Sequence, residues 1–124
     1  MDFFTQAYIE CLLWSENDAD DEPLDACFSI ADFSDEALKR IQQDCEDFQN
    51  KYADLLAKAY ELYEPLYDYT PQARAGHDFW LTRQGHGAGF WDRNLEEIGD
   101  ELTMAAKSFG ELYPYVGDDG KIYL

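Results

Sequence analysis

Apolar residues at Phe3, Phe4, Ala7, Tyr8, Cys11, Leu12 and Trp14 recur at spacings of three and four, which predicts a helix over residues 2–14 with one wide apolar face. Ser15 begins its exit. Glu16, Asp18, Asp20, Asp21, Glu22 and Asp25 then crowd around Pro23 with no periodic apolar set to bury, so this stretch reads as a solvated loop. Phe28, Ile30 and Phe33 fit a short extended segment crossing the core. Ser34 before Asp35 and Glu36 is an N-cap signature, since a helix N-terminus favours an oxygen acceptor and negative charge. Beyond it Leu38, Ile41, Cys45, Phe48, Tyr52, Leu55, Leu56, Ala59, Leu62 and Tyr63 keep helical spacing until Pro65 blocks continuation. The second helix is therefore expected from Asp35 to Glu64, about 45 Å long.

Residues 66–76 form a Tyr- and Pro-containing connection. Two aromatic runs, His77–Arg83 and Ala88–Asp92, flank Gln84-Gly-His-Gly87, a pattern that predicts a β-hairpin. Asn94 would cap a third helix carrying Leu95, Ile98, Leu102, Ala105, Ala106 and Phe109, closed by Gly110. Leu112–Val116 and Lys121–Leu124 around Gly117-Asp-Asp-Gly120 predict a second hairpin. The expected fold class is thus α+β: two N-terminal helices and a third helix packed on a small antiparallel sheet built from two hairpins. With no internal repeat and no long linker, residues 1–124 read as a single domain.

Charge changes the picture more than length does. The 124 residues hold 27 acidic and 9 basic side chains, a net charge of -18, alongside 3 Trp, 9 Tyr and 8 Phe. The aromatics supply a core, which separates this chain from an acidic disordered tail. Repulsion argues against direct binding to nucleic-acid phosphates or to an anionic membrane and favours a basic partner. The acidity is uneven: residues 1–73 carry 18 acids and 4 bases, whereas residues 74–124 carry 9 and 5. There is no apolar run of membrane-spanning length and no basic leader at Met1-Asp-Phe-Phe4, so a cytoplasmic location is expected. Cys11, Cys27 and Cys45 form neither a disulfide framework nor a zinc motif and read as reduced thiols.

The densest chemistry is the first expected hairpin, with His77, Asp78, Arg83, His86 and Asp92 beside Trp80 and Trp91. Histidine with aspartate can bind metal or move protons, but this spacing matches no established metal or hydrolase motif. Gly85, Gly87 and Gly89 lack the phosphate-loop pattern and are better explained by a tight turn with close backbone packing. In the acidic loop Asp18, Asp20 and Glu22 alternate as calcium ligands do. An EF-hand would then require Gly and Glu where the chain has Pro23 and Ser29. No cofactor is expected.

The run His77-Asp-Phe-Trp-Leu-Thr-Arg-Gln-Gly-His-Gly-Ala-Gly-Phe-Trp-Asp92, with Tyr115-Val-Gly-Asp-Asp-Gly-Lys-Ile-Tyr123, resembles a family of small, uncharacterised acidic proteins encoded by tailed bacteriophages and prophages. The resemblance implies a setting, the bacterial host cytoplasm, rather than a reaction. The expected role is an acidic interaction protein that mimics DNA toward a basic or DNA-binding host protein, such as a defence component. Its net charge matches about 30 Å of duplex at one charge per roughly 1.7 Å. The expected partner-binding residues are Asp18, Asp20, Asp21, Glu22, Asp44, Glu46, Asp47 and Asp54. Three alternatives stay open. The first is a small metal-dependent or His/Asp enzyme using His77, Asp78, His86 and Asp92. The second is an assembly protein, and the third is acidity that serves only solubility.

Overall fold

The computed structural model describes residues 1–66 and 68–124. Among the described residues five helices carry the fold: α1 (Phe3–Ser15), α2 (Asp35–Lys51), α3 (Ala53–Leu62), α4 (Pro71–Arg83) and α5 (Glu96–Lys107). Short 3-10 turns occupy Leu24–Ala26, Ile30–Asp32 and Phe90–Asp92. The sheet is one antiparallel pair, β1 (Tyr115–Val116) and β2 (Ile122–Tyr123), with Tyr115 opposite Tyr123 and Val116 opposite Ile122. The architecture is a helical bundle with a small C-terminal hairpin. This overturns the expected α+β fold with two hairpins.

The decisive difference is the motif run. His77–Arg83 is not a strand but the C-terminal half of α4, and the expected connection over residues 66–76 already contains that helix's first turn and a half. Tyr67 lies outside the described residues. Thr70 caps α4 by accepting a hydrogen bond from the Ala73 amide at 3.1 Å, and Pro71 supplies a preset φ at the first helical position. Ala75, Gly76, Asp78, Phe79, Trp80, Leu81, Thr82 and Arg83 are all buried. A helix enclosed on nearly every side shows no amphipathic period, so its aromatic and β-branched residues imitate a strand.

α1 meets its expectation closely, beginning after Asp2, whose carboxylate accepts from the Thr5 amide at 2.8 Å. The single long helix expected from Asp35 to Glu64 is instead α2 and α3, divided at Tyr52, where φ is -114° and ψ 29°. The hydrogen-bond ladder crosses the break, with the Tyr52 amide on the Phe48 carbonyl at 3.0 Å and the Leu56 amide on the Tyr52 carbonyl at 2.9 Å. The segment expected to run extended from Phe28 to Phe33 forms a 3-10 turn capped by Ser29, and buried Phe33 bridges Ile122 of β2. Asn94 does not cap α5; it adopts a φ of 58°, and the helix starts after Leu95 with no side-chain cap. Gly110 ends that region as expected, at a φ of 80°.

The core is aromatic. Phe48 of α2 stacks on Phe79 of α4 at 4.1 Å between ring centroids and also meets Phe4, Phe90 and Phe109 within 6.0 Å. Trp80 meets Tyr8 edge-on at 5.2 Å, an arrangement that suits the ring quadrupoles. α1 and α4 form the principal helix pair. Their approach depends on Gly76, where an added Cβ would overlap the Phe4 carbonyl oxygen.

Gly76→Ala should therefore destabilise the protein by about 3 kcal/mol or more, because backbone rather than a movable side chain opposes the methyl. Gly87→Ala, where an added Cβ meets nothing within 4 Å, should fall within about 0.5 kcal/mol of the parent. Urea denaturation midpoints compare the two, and equal stability would refute this account of the helix crossing.

Candidate functional site

Two buried ion pairs organise the motif residues. Arg83, at the end of α4, has a fully buried side chain. Its Nη1 donates to Asp44 Oδ2 of α2 at 2.9 Å and to the Tyr8 hydroxyl of α1 at 3.0 Å. Its Nε donates to the Gly110 carbonyl at 2.9 Å and its Nη2 to the Phe109 carbonyl at 3.1 Å. Those carbonyls follow α5, where a cation is favoured by the helix dipole. The guanidinium also lies over Phe79 and Phe109 at 5.5 and 5.8 Å. Beside it, the Gln84 side chain donates to the Leu112 carbonyl at 2.7 Å and accepts from the Leu112 amide at 2.8 Å, fastening the C-terminal segment.

The second pair is Asp78 with Arg93. Arg93 donates from Nη2 to Asp78 Oδ1 at 3.0 Å and from Nε at 3.1 Å, while the Tyr63 hydroxyl donates to Oδ2 at 2.8 Å. Burial, followed by the negative charge of Asp78, pushes the Tyr63 hydroxyl well above its ordinary value, so it remains a donor.

The four residues expected to serve an enzyme do not form one cluster, although His77 Nδ1 lies 4.0 Å from Asp78 Oδ1. Asp78 is committed to Arg93. Asp92 accepts from the Gly89 amide at 3.0 Å within the 3-10 turn. His86 lies near Glu16, 3.9 Å from Nε2 to Oε1, and that nitrogen is buried without a hydrogen bond among the described residues. His77 lies against Trp14, with ring centroids 6.2 Å apart. Among the described residues no three His, Cys, Asp or Glu side chains are grouped to hold a metal. The thiol sharing a cavity with His77 is Cys11, and burial, reinforced by the charge of Asp78, pushes it up to about 12. At neutral pH it is a protonated, weak nucleophile.

The expected partner-binding acids divide differently. Asp20, Asp21, Glu22, Glu46, Asp47 and Asp54 are exposed, whereas Asp44 is buried in the Arg83 pair. Asp18 is half-buried and structural: its Oδ1 accepts from the Asp20 and Glu22 amides at 2.9 and 3.0 Å. The acidic loop is thus an ordered turn, further held by Asn17 donating to Asp21 at 3.1 Å. Among the described residues Asp78 is matched by Arg93 and Asp44 by buried Arg83, with the more exposed Arg40 also donating to Asp44 Oδ2 at 3.1 Å, so the acidic excess lies on the surface.

A feature not foreseen from the sequence is a groove along the α1–α4 seam, formed by three adjoining cavities that share Tyr69. Their volumes are about 260 Å³ beside Phe3, Glu10 and Asp68, about 320 Å³ beside Glu10, Trp14 and Asp25, and about 220 Å³ beside Arg74, His77 and Arg93. The signal was present in the spacing: Phe3, Ala7, Glu10 and Trp14 line one strip of α1, opposite buried Phe4, Tyr8 and Leu12. Phe3 and Trp14 are each 63% exposed. Among the described residues no helix is long and apolar enough to cross a membrane. No protein-family model, curated protein or solved structure matches the chain.

Replacing Arg83 with Met should cost about 3–5 kcal/mol, because it leaves the Asp44 carboxylate only the largely exposed Arg40 and strands two carbonyls. Adding Asp44→Leu should recover part of that loss. Chemical denaturation of both variants checks this, and a single variant as stable as the parent would contradict the linchpin role. A second expectation concerns alkali. Burial pushes the Cys11 thiol and the Tyr60 hydroxyl up to about 12, from ordinary values of 9.0 and 10.0. Because these folded values are raised, the stability they represent is fully present below about pH 9 and is lost as the pH climbs toward 12. Circular dichroism should show unfolding in that window together with late tyrosinate absorbance. Complete tyrosine ionisation near the ordinary value with the fold intact would be the contrary result.

Proposed function

We propose that this protein is a non-catalytic binding module that presents a negative surface to a basic protein whose own surface otherwise receives nucleic-acid phosphates. The observation that carries this reading is the partition of charge: among the described residues the buried acids are held in arginine–aspartate pairs, and the acidic excess is left outside. Of the motif residues that could have supplied catalysis, Asp78 and Arg83 are held in those pairs and Asp92 in its turn. Asp20, Asp21 and Glu22 on their ordered turn and Glu46, Asp47 and Asp54 on the helices form the contact set. A fixed turn presents charge with less ordering cost than a flexible acidic tail. Glu96, Glu97, Asp100 and Glu101, exposed on α5, extend the negative field that steers encounter. The resemblance to phage-encoded acidic proteins supplies the setting: a DNA-handling partner in the cytoplasm of a bacterial host, with the protein acting as a DNA mimic.

The test is affinity capture from bacterial lysate at low and high salt, identification of the captured protein, and displacement by duplex DNA. Capture should fall by about tenfold or more as salt rises beyond the range where the Debye length is roughly 10 Å. Duplex DNA should release the captured protein. The variant Asp20→Asn, Asp21→Asn, Glu22→Gln, Glu46→Gln, Asp47→Asn leaves Asp18 to hold the turn and should lose most low-salt capture while remaining folded. Undiminished low-salt capture by that variant would defeat the proposal.

A further inference from the structure

We infer that the cavity of about 320 Å³ between Trp14, Tyr69 and His77 receives an arginine side chain of the basic partner. This rests on the proposed function and deepens it, turning a diffuse charge attraction into a defined anchor.

The lining favours a flat cation. Trp14 and Tyr69 are 63% and 52% exposed, with the Trp14 ring tilted toward His77 at 6.2 Å between centroids, and a guanidinium is attracted to accessible aromatic surface of this kind. Glu10 and Asp25 contribute carboxylates, and neither is paired with a cation among the described residues. Glu10 and Trp14 stand four residues apart on α1, one above the other on the same face, which places a carboxylate beside an indole. The floor, Ala7 and Cys11, is small and apolar and suits the methylene stem.

The nearest cations do not oppose this. Arg93 in the adjoining cavity is matched by Asp78, and Arg74 is held on the Glu64 carbonyl and over the Tyr63 ring at 5.0 Å. Arginine is favoured over lysine because its planar, weakly hydrated head can stack and pair with a carboxylate together. Such an anchor concentrates binding energy in a few residues, as arginine and aromatic contacts commonly do at protein interfaces.

The probe is an acetylated tri-arginine peptide amide, titrated into the full chain while the indole N–H signals of Trp14, Trp80 and Trp91 are followed by NMR. A saturable shift is expected at Trp14, with Trp91, exposed elsewhere, shifting little. The citrulline peptide, equal in shape but uncharged, should bind at least about tenfold more weakly, and tri-lysine should fall between them. Glu10→Gln with Asp25→Asn should abolish saturation at Trp14. All three substituted or probed side chains are exposed, so circular dichroism should show an unchanged fold.

A linear, non-saturating Trp14 shift, equal shifts at Trp14 and Trp91, or equal binding of the citrulline peptide would each overturn the inference. The two ideas fail separately. An unresponsive Trp14 removes the anchor while salt-sensitive capture can still stand, and capture indifferent to salt removes the acidic-surface reading.

Discussion

A guanidinium buried completely needs acceptors at fixed angles for its N–H donors, and Arg83 finds them in four hydrogen bonds to parts of the chain far apart in sequence. Tyr8 comes from α1, Asp44 from α2, and the Phe109 and Gly110 carbonyls from the end of α5. Apolar packing alone would let those helices slide against one another with small loss, because hydrophobic attraction has no direction. The fork geometry of arginine does not allow that. Burial pushes the Tyr8 hydroxyl up, overriding the pull of Arg83, which keeps a neutral phenol in a site already holding a matched ion pair. The aromatic cluster around Phe48 and the close crossing at Gly76 are then the filling of a frame whose register the arginine sets.

That frame also governs where the charge goes. A carboxylate inside a protein is tolerated only when paired and hydrogen-bonded. Among the described residues two such groups are buried, Asp78 with Arg93 and Tyr63, and Asp44 with Arg83, the more exposed Arg40 and, through Arg83, Tyr8. The repeated device leaves the interior balanced and puts the acidic excess where water and salt screen it. A surface this negative still costs stability through self-repulsion.

Several elements were legible in the residues. The α1 spacing, the Ser34 cap of α2, the stop near Pro65, the turn at Gly110 and the C-terminal Asp-Gly hairpin all follow local rules, and local rules leave local marks. The motif did not behave this way. Its residues are consumed by partners far away: Trp80 donates to Ser15 at 2.9 Å, Gln84 holds Leu112, and the Phe90 amide donates to Thr82 at 3.2 Å. Those demands put polar and aromatic residues on all sides of α4, which erased the helical period and left a strand-like string. The Thr70-Pro71 pair was the local sign that a helix begins there. It was masked by reading the segment as a connection. Asp44 is a different case: α2 keeps its helical period, and Asp44 stands three residues after Ile41 and four before Phe48 on the buried face, where its acidic type disguises an inward position.

α1 is apolar around most of its circumference, and the bundle encloses every apolar residue of it except Phe3 and Trp14. Phe4, Tyr8 and Leu12 are enclosed, whereas Phe3 and Trp14 lie open at the two ends of a strip about 16 Å long. Isolated exposed apolar residues are ordinary, but here they flank a groove with Glu10 between them and Tyr69 opposite. On the proposed reading the Trp14 indole stands beside a concavity next to Glu10 and Asp25, whose carboxylates pair with no cation among the described residues. The arrangement resembles the anatomy of an interface, with an aromatic centre surrounded by charge. On that view the distribution of acids decides what approaches the protein, and the uncovered strip of α1 decides what stays.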